Sequence, residues 1–136
     1  MLLSAPAIIL TAAVTLLALL ISVAFAIRVA RTRVRTRVDA PAMGGPAELE
    51  YALRIQGNTV EQMVMFLPSL WLAALYFQGW LPPIIGLVWC LGRIVYGFVY
   101  GDVKSRFPGF ALTIFPTLIL IVLAAIGIFG AWTAGV

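Results

Sequence analysis

Four apolar runs dominate the chain and predict four membrane-spanning helices. A helix needs roughly 20 apolar residues to cross the hydrocarbon core of a bilayer. The runs that reach this length lie at about 2–27, 60–80, 81–100 and 109–132. Because they occupy nearly all of residues 1–136, the pattern predicts a single domain, an all-α membrane protein built as a four-transmembrane-helix bundle.

The polar segments between these runs predict the loops. Loop one starts at Arg28, and its second half, from Asp39 to Pro46, is rich in turn-forming residues that favour turns over helix. Glu48 then opens a helix that we expect to continue to about Gly79. The second loop, near Pro82, carries no charge, and loop three is short.

Composition and charge agree with a membrane protein. The chain is 63% hydrophobic and 10% charged, which excludes an ordinary soluble domain. Five of the nine basic residues lie between Arg28 and Arg37, directly after the first run. The positive-inside rule explains them without a nucleic-acid partner and places loops one and three in the cytoplasm. The first run has no basic residue before it, so we interpret it as a retained span rather than a signal peptide. The lack of histidine and the preference for arginine over lysine suggest a bacterial inner membrane.

Several kinds of chemistry are excluded or disfavoured by the residues present. Without histidine, the chain has no His-based metal site and no Ser-His triad, and we expect no metal. Cys90 is the single cysteine and lies within the third run, where we expect a packed thiol rather than a reactive one.

The start of the second apolar helix carries a polar cluster. Arg54, Asn58 and Glu61 are spaced i, i+4 and i+7, so they share one helical face. Ionisable residues at the edge of a bilayer are costly and indicate a functional site.

The third span carries a second polar face, formed by Arg93, Tyr96 and Tyr100. Counted from the start of the span, Arg93 lies roughly 12 Å inside the cytoplasmic edge, where it needs an anionic partner. Near the hydrocarbon, Arg93 and Arg54 oppose Glu61 alone, so an anionic ligand would remove an uncompensated charge. Glu61 could hold a ligand amine while the arginines hold carboxylates.

Structural alternatives remain open for the same residues. Glu61 could simply clamp Arg93, leaving the other polar groups solvated. The tyrosines could belong to an interfacial belt, and the tryptophans are expected to pack or to form such belts.

Three motifs resemble those of the MAPEG family, the membrane-associated proteins of eicosanoid and glutathione metabolism. They are Arg54-x-Gln56-x-Asn58-x-x-Glu61 continuing through Phe66-Leu-Pro-Ser-Leu-Trp71, then Arg93-x-x-Tyr96-x-x-x-Tyr100, and in loop one Arg37-Val-x-x-Pro41 with Gly45-Pro46. The resemblance covers about three quarters of the chain.

The resemblance implies a homotrimer that binds glutathione between neighbouring subunits at the cytoplasmic side. Expected glutathione-binding residues are Arg33, Arg54, Gln56, Asn58, Glu61, Tyr96 and Tyr100. Arg106 or Arg93 would stabilise the thiolate. The chain departs from the family pattern at Gln62, where a tyrosine is common, and at Val34 and Phe107, where leukotriene-synthesising members carry arginines.

The function expected from this resemblance is a membrane-bound glutathione transferase, with glutathione as co-substrate and a hydrophobic small molecule or lipid as electrophile. A non-catalytic lipid- or glutathione-binding protein of the same family is an alternative. A small proton-coupled exporter that uses Glu61 is another.

Overall fold

The computed structural model describes residues 5–101 and 103–135, without the side chains of residues 103–106. The regular structure of this part is helical throughout. The helices are α1 (Ala5–Thr36), α2 (Ala47–Leu72), which continues as a π-helical turn (Ala73–Phe77), α3 (Leu81–Val99) and α4 (Val103–Thr133). All four are long and apolar enough to cross a bilayer, which confirms the expected all-α class with four spans.

The helices extend beyond the apolar runs that predicted them. α1 continues through most of the arginine cluster to Thr36, although the sequence pattern placed loop one from Arg28. Arginine is a good helix former, and positive charge near a helix C-terminus interacts favourably with the helix dipole. The helix can therefore continue beyond its apolar residues. The turn begins only at Arg37, which has a positive φ of 56°. α4 likewise begins at Val103 rather than near residue 109.

One apolar core joins all four helices. At its centre the rings of Phe66 on α2 and Trp89 on α3 stack with their centroids 4.0 Å apart. The surrounding buried residues are Val14, Ala18, Ile21, Leu70, Ala73, Cys90, Leu120, Leu123 and Ala124. Cys90 is fully buried, which agrees with its expected packing role.

Tryptophans mark the end of the bundle opposite the arginines. Trp80 and Trp132 are exposed there, at the start of α3 and the end of α4. Trp71 is partly buried and donates a hydrogen bond from Nε1 to Thr15 Oγ1 at 3.1 Å. The tryptophans therefore divide between packing and a position typical of an interfacial belt.

α3 and α4 approach so closely at Gly92 that no side chain fits between them. A Cβ at this position would lie 2.6 Å from the carbonyl oxygen of Leu112. Pro116, four residues further along α4, has no N–H to donate to that carbonyl. Gly92 therefore lets the Leu112 carbonyl lie directly against α3.

We expect Gly92→Ala to lower the free energy of unfolding by about 1–3 kcal/mol, because the added methyl group overpacks the contact. The matched control is Gly130→Ala, since a Cβ at Gly130 meets nothing within 4 Å. Thermal unfolding in mild detergent measures both variants. Equal midpoints for the two would contradict the close approach at Gly92.

Candidate functional site

α2 and α3 enclose an open cleft at the arginine-rich end of the bundle. Its volume is about 570 Å³. The lining residues are Met43, Glu50, Leu53, Arg54, Gly57, Asn58, Glu61, Tyr96 and Tyr100. The structure therefore brings together the two polar faces that the sequence placed on separate helices.

The α2 wall of the cleft is a single helical stripe. Glu50, Arg54, Asn58 and Glu61 follow one another at spacings of three or four residues, and Gly57 lies three residues after Arg54, which puts all five on one face. Arg54 and Glu61 are exposed to the cleft. A Cβ built at Gly57 would meet nothing within 4 Å, so this glycine leaves open space in the wall.

Arg93 lies behind this wall rather than in it. Its side chain is completely buried, and Nη1 donates a hydrogen bond to Asn58 Oδ1 at 2.9 Å. The same nitrogen lies 3.5 Å from Thr59 Oγ1, at the limit of a hydrogen bond. Arg93 thus reaches the cleft only through its neighbours.

Aromatic faces surround the buried guanidinium. The Arg93 Cζ atom lies 4.3 Å from the centroid of the Tyr96 ring and 5.9 Å from that of Trp89. Its Nε and Nη2 atoms have no hydrogen-bond acceptor among the described residues. Ring faces attract a cation electrostatically, so the positive charge is stabilised by π-systems and by one amide oxygen.

The Arg93 contact defines how Asn58 can act. Because Arg93 occupies the amide oxygen of Asn58, the amide NH2 group is the part available to a ligand. Asn58 therefore offers the cleft a hydrogen-bond donor suited to a carboxylate or carbonyl oxygen.

Tyrosines form the α3 wall. The Tyr96 and Tyr100 rings meet edge to face with centroids 5.3 Å apart, and Tyr51 of α2 packs edge to face on Tyr100 at 5.6 Å. These contacts hold the end of α3 against the start of α2. The two walls are thereby fixed relative to one another.

The structure brings some of the predicted site residues to the cleft and leaves others outside it. Those that line the cleft are Arg54, Asn58, Glu61, Tyr96 and Tyr100. Gln56 is half-buried outside the cleft lining, and Arg33 donates from Nη1 to the Val38 carbonyl at 3.3 Å. Arg93 lies behind the wall, and the Arg106 side chain falls outside the described residues.

The structural alternative in which Glu61 clamps Arg93 is wrong for this fold. The described hydrogen-bond partners of Arg93 are Asn58 and Thr59. The ion pair found among the described residues is instead Arg35 with Glu48, which closes the first loop away from the cleft.

Sequence reasoning missed part of the lining. Glu50 and Gly57 could have been found, because each lies one helical turn from a predicted residue on the same face. Met43 comes from loop one, and helical periodicity gives no signal for it. Its contribution depends on the path of the loop.

Glu50 changes the charge balance of the cleft. It joins Glu61 as a second carboxylate, and its Oε1 accepts a hydrogen bond from the Gly45 backbone N–H at 3.3 Å. No carboxylate among the described residues lies within ion-pair distance of Arg54 or Arg93, so the uncompensated positive charge stays a prediction.

Known proteins resemble this chain over most of its length. The MAPEG family matches residues 11–126. An uncharacterised protein of Synechocystis sp. is 41% identical over 86% of both chains. Microsomal glutathione S-transferase 2 of Homo sapiens is 36% identical over 88% of this chain and 82% of its own. Leukotriene C4 synthase of Bos taurus is 32% identical over 88% of this chain and 80% of its own.

The extent of these matches and the four membrane-spanning helices point to the same class of protein. The chain is an integral, multi-pass membrane protein and belongs to the MAPEG family.

Proposed function

We propose that this protein is a membrane-bound glutathione transferase that joins the glutathione thiolate to hydrophobic electrophiles. The observation that carries the proposal is the cleft, in which Arg54, Asn58 and Glu61 face Tyr96 and Tyr100. Relatives that are named as a glutathione transferase and as a leukotriene C4 synthase support the same reaction class.

The polar groups of glutathione suit the cleft. The tripeptide carries one amine, two carboxylates and a thiol. In this proposal Glu61 holds the amine, Arg54 pairs with a carboxylate, and the Asn58 amide donates to an oxygen of the peptide. The tyrosine wall lies along the other side of the bound peptide.

The chemical step needs the thiolate, because the thiol itself is a poor nucleophile. The glutathione thiol gives its proton to water, and the thiolate sulfur then bonds to an electrophilic carbon while the bond from that carbon to its leaving group breaks. Where the electrophile is an epoxide, the bond that breaks is the ring C–O bond, and the oxygen takes a proton from water. A nearby cation favours the ionised sulfur. We assign this part to Arg106, since the burial of Arg93 leaves it no direct path to the sulfur.

We further propose that the site is completed by another copy of the chain in a homotrimer. Arg33 and Gln56 do not line the cleft of their own chain. The described lining of that cleft has two carboxylates and one arginine. An anionic tripeptide needs additional cations. Arg33 from a neighbouring subunit would supply one, and Gln56 would supply amide contacts.

The burial of Arg93 favours one alternative, a membrane protein that binds glutathione or lipid without catalysis. It removes one of the two arginines first expected to act on the sulfur. An exporter receives less support, because Glu61 faces an open cleft near the end of the bundle rather than a buried path through its middle.

Calorimetric titration in mild detergent should detect glutathione binding, and Glu61→Gln should weaken it by roughly 10-fold or more. A charge-assisted hydrogen bond contributes about 1.5–3 kcal/mol, which sets that magnitude. Glu48→Gln is the control, since it removes the same charge from α2 outside the cleft. Equal affinities for both variants would refute the assignment of Glu61.

A titration with glutathione that is followed by near-ultraviolet absorption, instead of by heat, separates catalysis from binding. A transferase should show the absorption band of the thiolate at neutral pH and should form a conjugate with a chlorinated aromatic electrophile. Binding with neither signal would replace the transferase proposal with the non-catalytic alternative.

Gly57→Ala should separate ligand binding from folding. Alanine in a helix interior is more stable than glycine by roughly 0.5–1 kcal/mol, and the added methyl group meets no protein atom. The methyl group projects into space that the tripeptide would occupy. We expect a thermal unfolding midpoint at least as high as that of the unmodified protein, together with weaker glutathione binding. Unchanged affinity would show that the ligand does not lie against Gly57.

A further inference from the structure

A second concavity lies between α1 and α3 and shares no residue with the cleft. It is an apolar groove of about 590 Å³. Its lining residues are Leu20, Ile21, Ala24, Phe25, Arg28, Ile94, Gly97 and Phe98. The groove lies along the membrane-spanning part of α1 and ends at the first arginine of the cluster.

The floor of the groove depends on Gly97. A Cβ at this position would lie 2.6 Å from Cζ of Phe25, so the Phe25 ring lies directly over the glycine. The Arg28 side chain donates a hydrogen bond from Nη1 to the Gly97 carbonyl at 2.7 Å. This bond fixes a guanidinium at the mouth of an otherwise apolar groove.

A polar concavity of about 360 Å³ continues from that mouth towards the end of α1. It shares Ala24 and Arg28 with the groove and adds Ile27, Arg31, Thr32 and Arg35. Arg28, Arg31 and Arg35 are spaced i, i+3 and i+7, so one helical face carries all three. The two concavities form one path that is apolar at one end and cationic at the other.

The arginines on this path are not neutralised equally. Arg35 forms an ion pair with Glu48. Arg28 and Arg31 are exposed, and no described carboxylate lies within ion-pair distance of either. Two guanidinium groups therefore remain for an anion that also brings an apolar chain.

We propose that this path binds an anionic phospholipid. One acyl chain lies in the groove between α1 and α3, and the phosphodiester lies against Arg28 and Arg31. Guanidinium groups match phosphate oxygens with paired hydrogen bonds, and the apolar lining matches an acyl chain. A zwitterionic lipid such as phosphatidylcholine fits less well, because its choline group would bring a further positive charge close to the two arginines.

The test compares lipids that differ only in their headgroups. Delipidated protein in mild detergent is titrated with phosphatidylglycerol or with phosphatidylcholine carrying the same acyl chains, and bound lipid is counted by native mass spectrometry. We expect phosphatidylglycerol to bind more tightly. Arg28→Gln and Arg31→Gln should each weaken its binding about fivefold, the effect of removing one basic residue near an anionic headgroup.

Arg37→Gln is the charge-matched control, because Arg37 is exposed beyond the end of α1 and lines neither concavity. It should change the affinity less than twofold. Arg31→Gln gives the cleaner result if loss of the Arg28 hydrogen bond affects folding. Equal binding of the two lipids, or an equal loss in Arg37→Gln, would overturn the proposal and leave only general attraction to a basic surface.

Discussion

Arg93 is the charged side chain that the described part of the bundle buries completely, and the packing of α2 against α3 depends on how its charge is satisfied. A buried ion without compensation is very costly, particularly inside a bilayer. The fold compensates with the Asn58 amide oxygen and with the faces of Tyr96 and Trp89. Removal of the guanidinium would therefore weaken the packing of α2 against α3.

The same arrangement links the core to the proposed ligand site. Trp89, which lies beneath Arg93, stacks on Phe66 at the centre of the bundle, and Tyr96 lines the cleft on the other side. Arg93 thus lies between the apolar core of the bundle and the solvent-accessible cleft. We infer that it acts on the ligand site by positioning Asn58 and does not itself touch the ligand.

α3 has different roles on its two sides. Tyr96 and Tyr100 face the cleft, whereas Ile94, Gly97 and Phe98 line the groove shared with α1. A helix with 3.6 residues per turn can present both sets at once, because neighbouring residues point in different directions. The proposed peptide and lipid sites can therefore coexist on one helix.

Much of this arrangement follows from sequence periodicity. Apolar run lengths predict the four helices, and spacings of three and four residues predict the cleft residues of α2 and α3. The continuation of α1 to Thr36 was missed because arginines end an apolar run without ending a helix. The contribution of Met43 depends on a loop path, and the contact of Gly92 with the Leu112 carbonyl depends on helix packing, so neither leaves a periodic signal.

A double-mutant cycle on glutathione affinity tests the central claim that Arg93 acts through Asn58. The variants are Arg93→Met, Asn58→Ala and the double variant, each confirmed to be folded and titrated by calorimetry. If Arg93 only positions the amide, the double variant should bind no more weakly than Asn58→Ala alone. Independent losses that multiply in the double variant would contradict this account and would mean that Arg93 contributes to the ligand by another route.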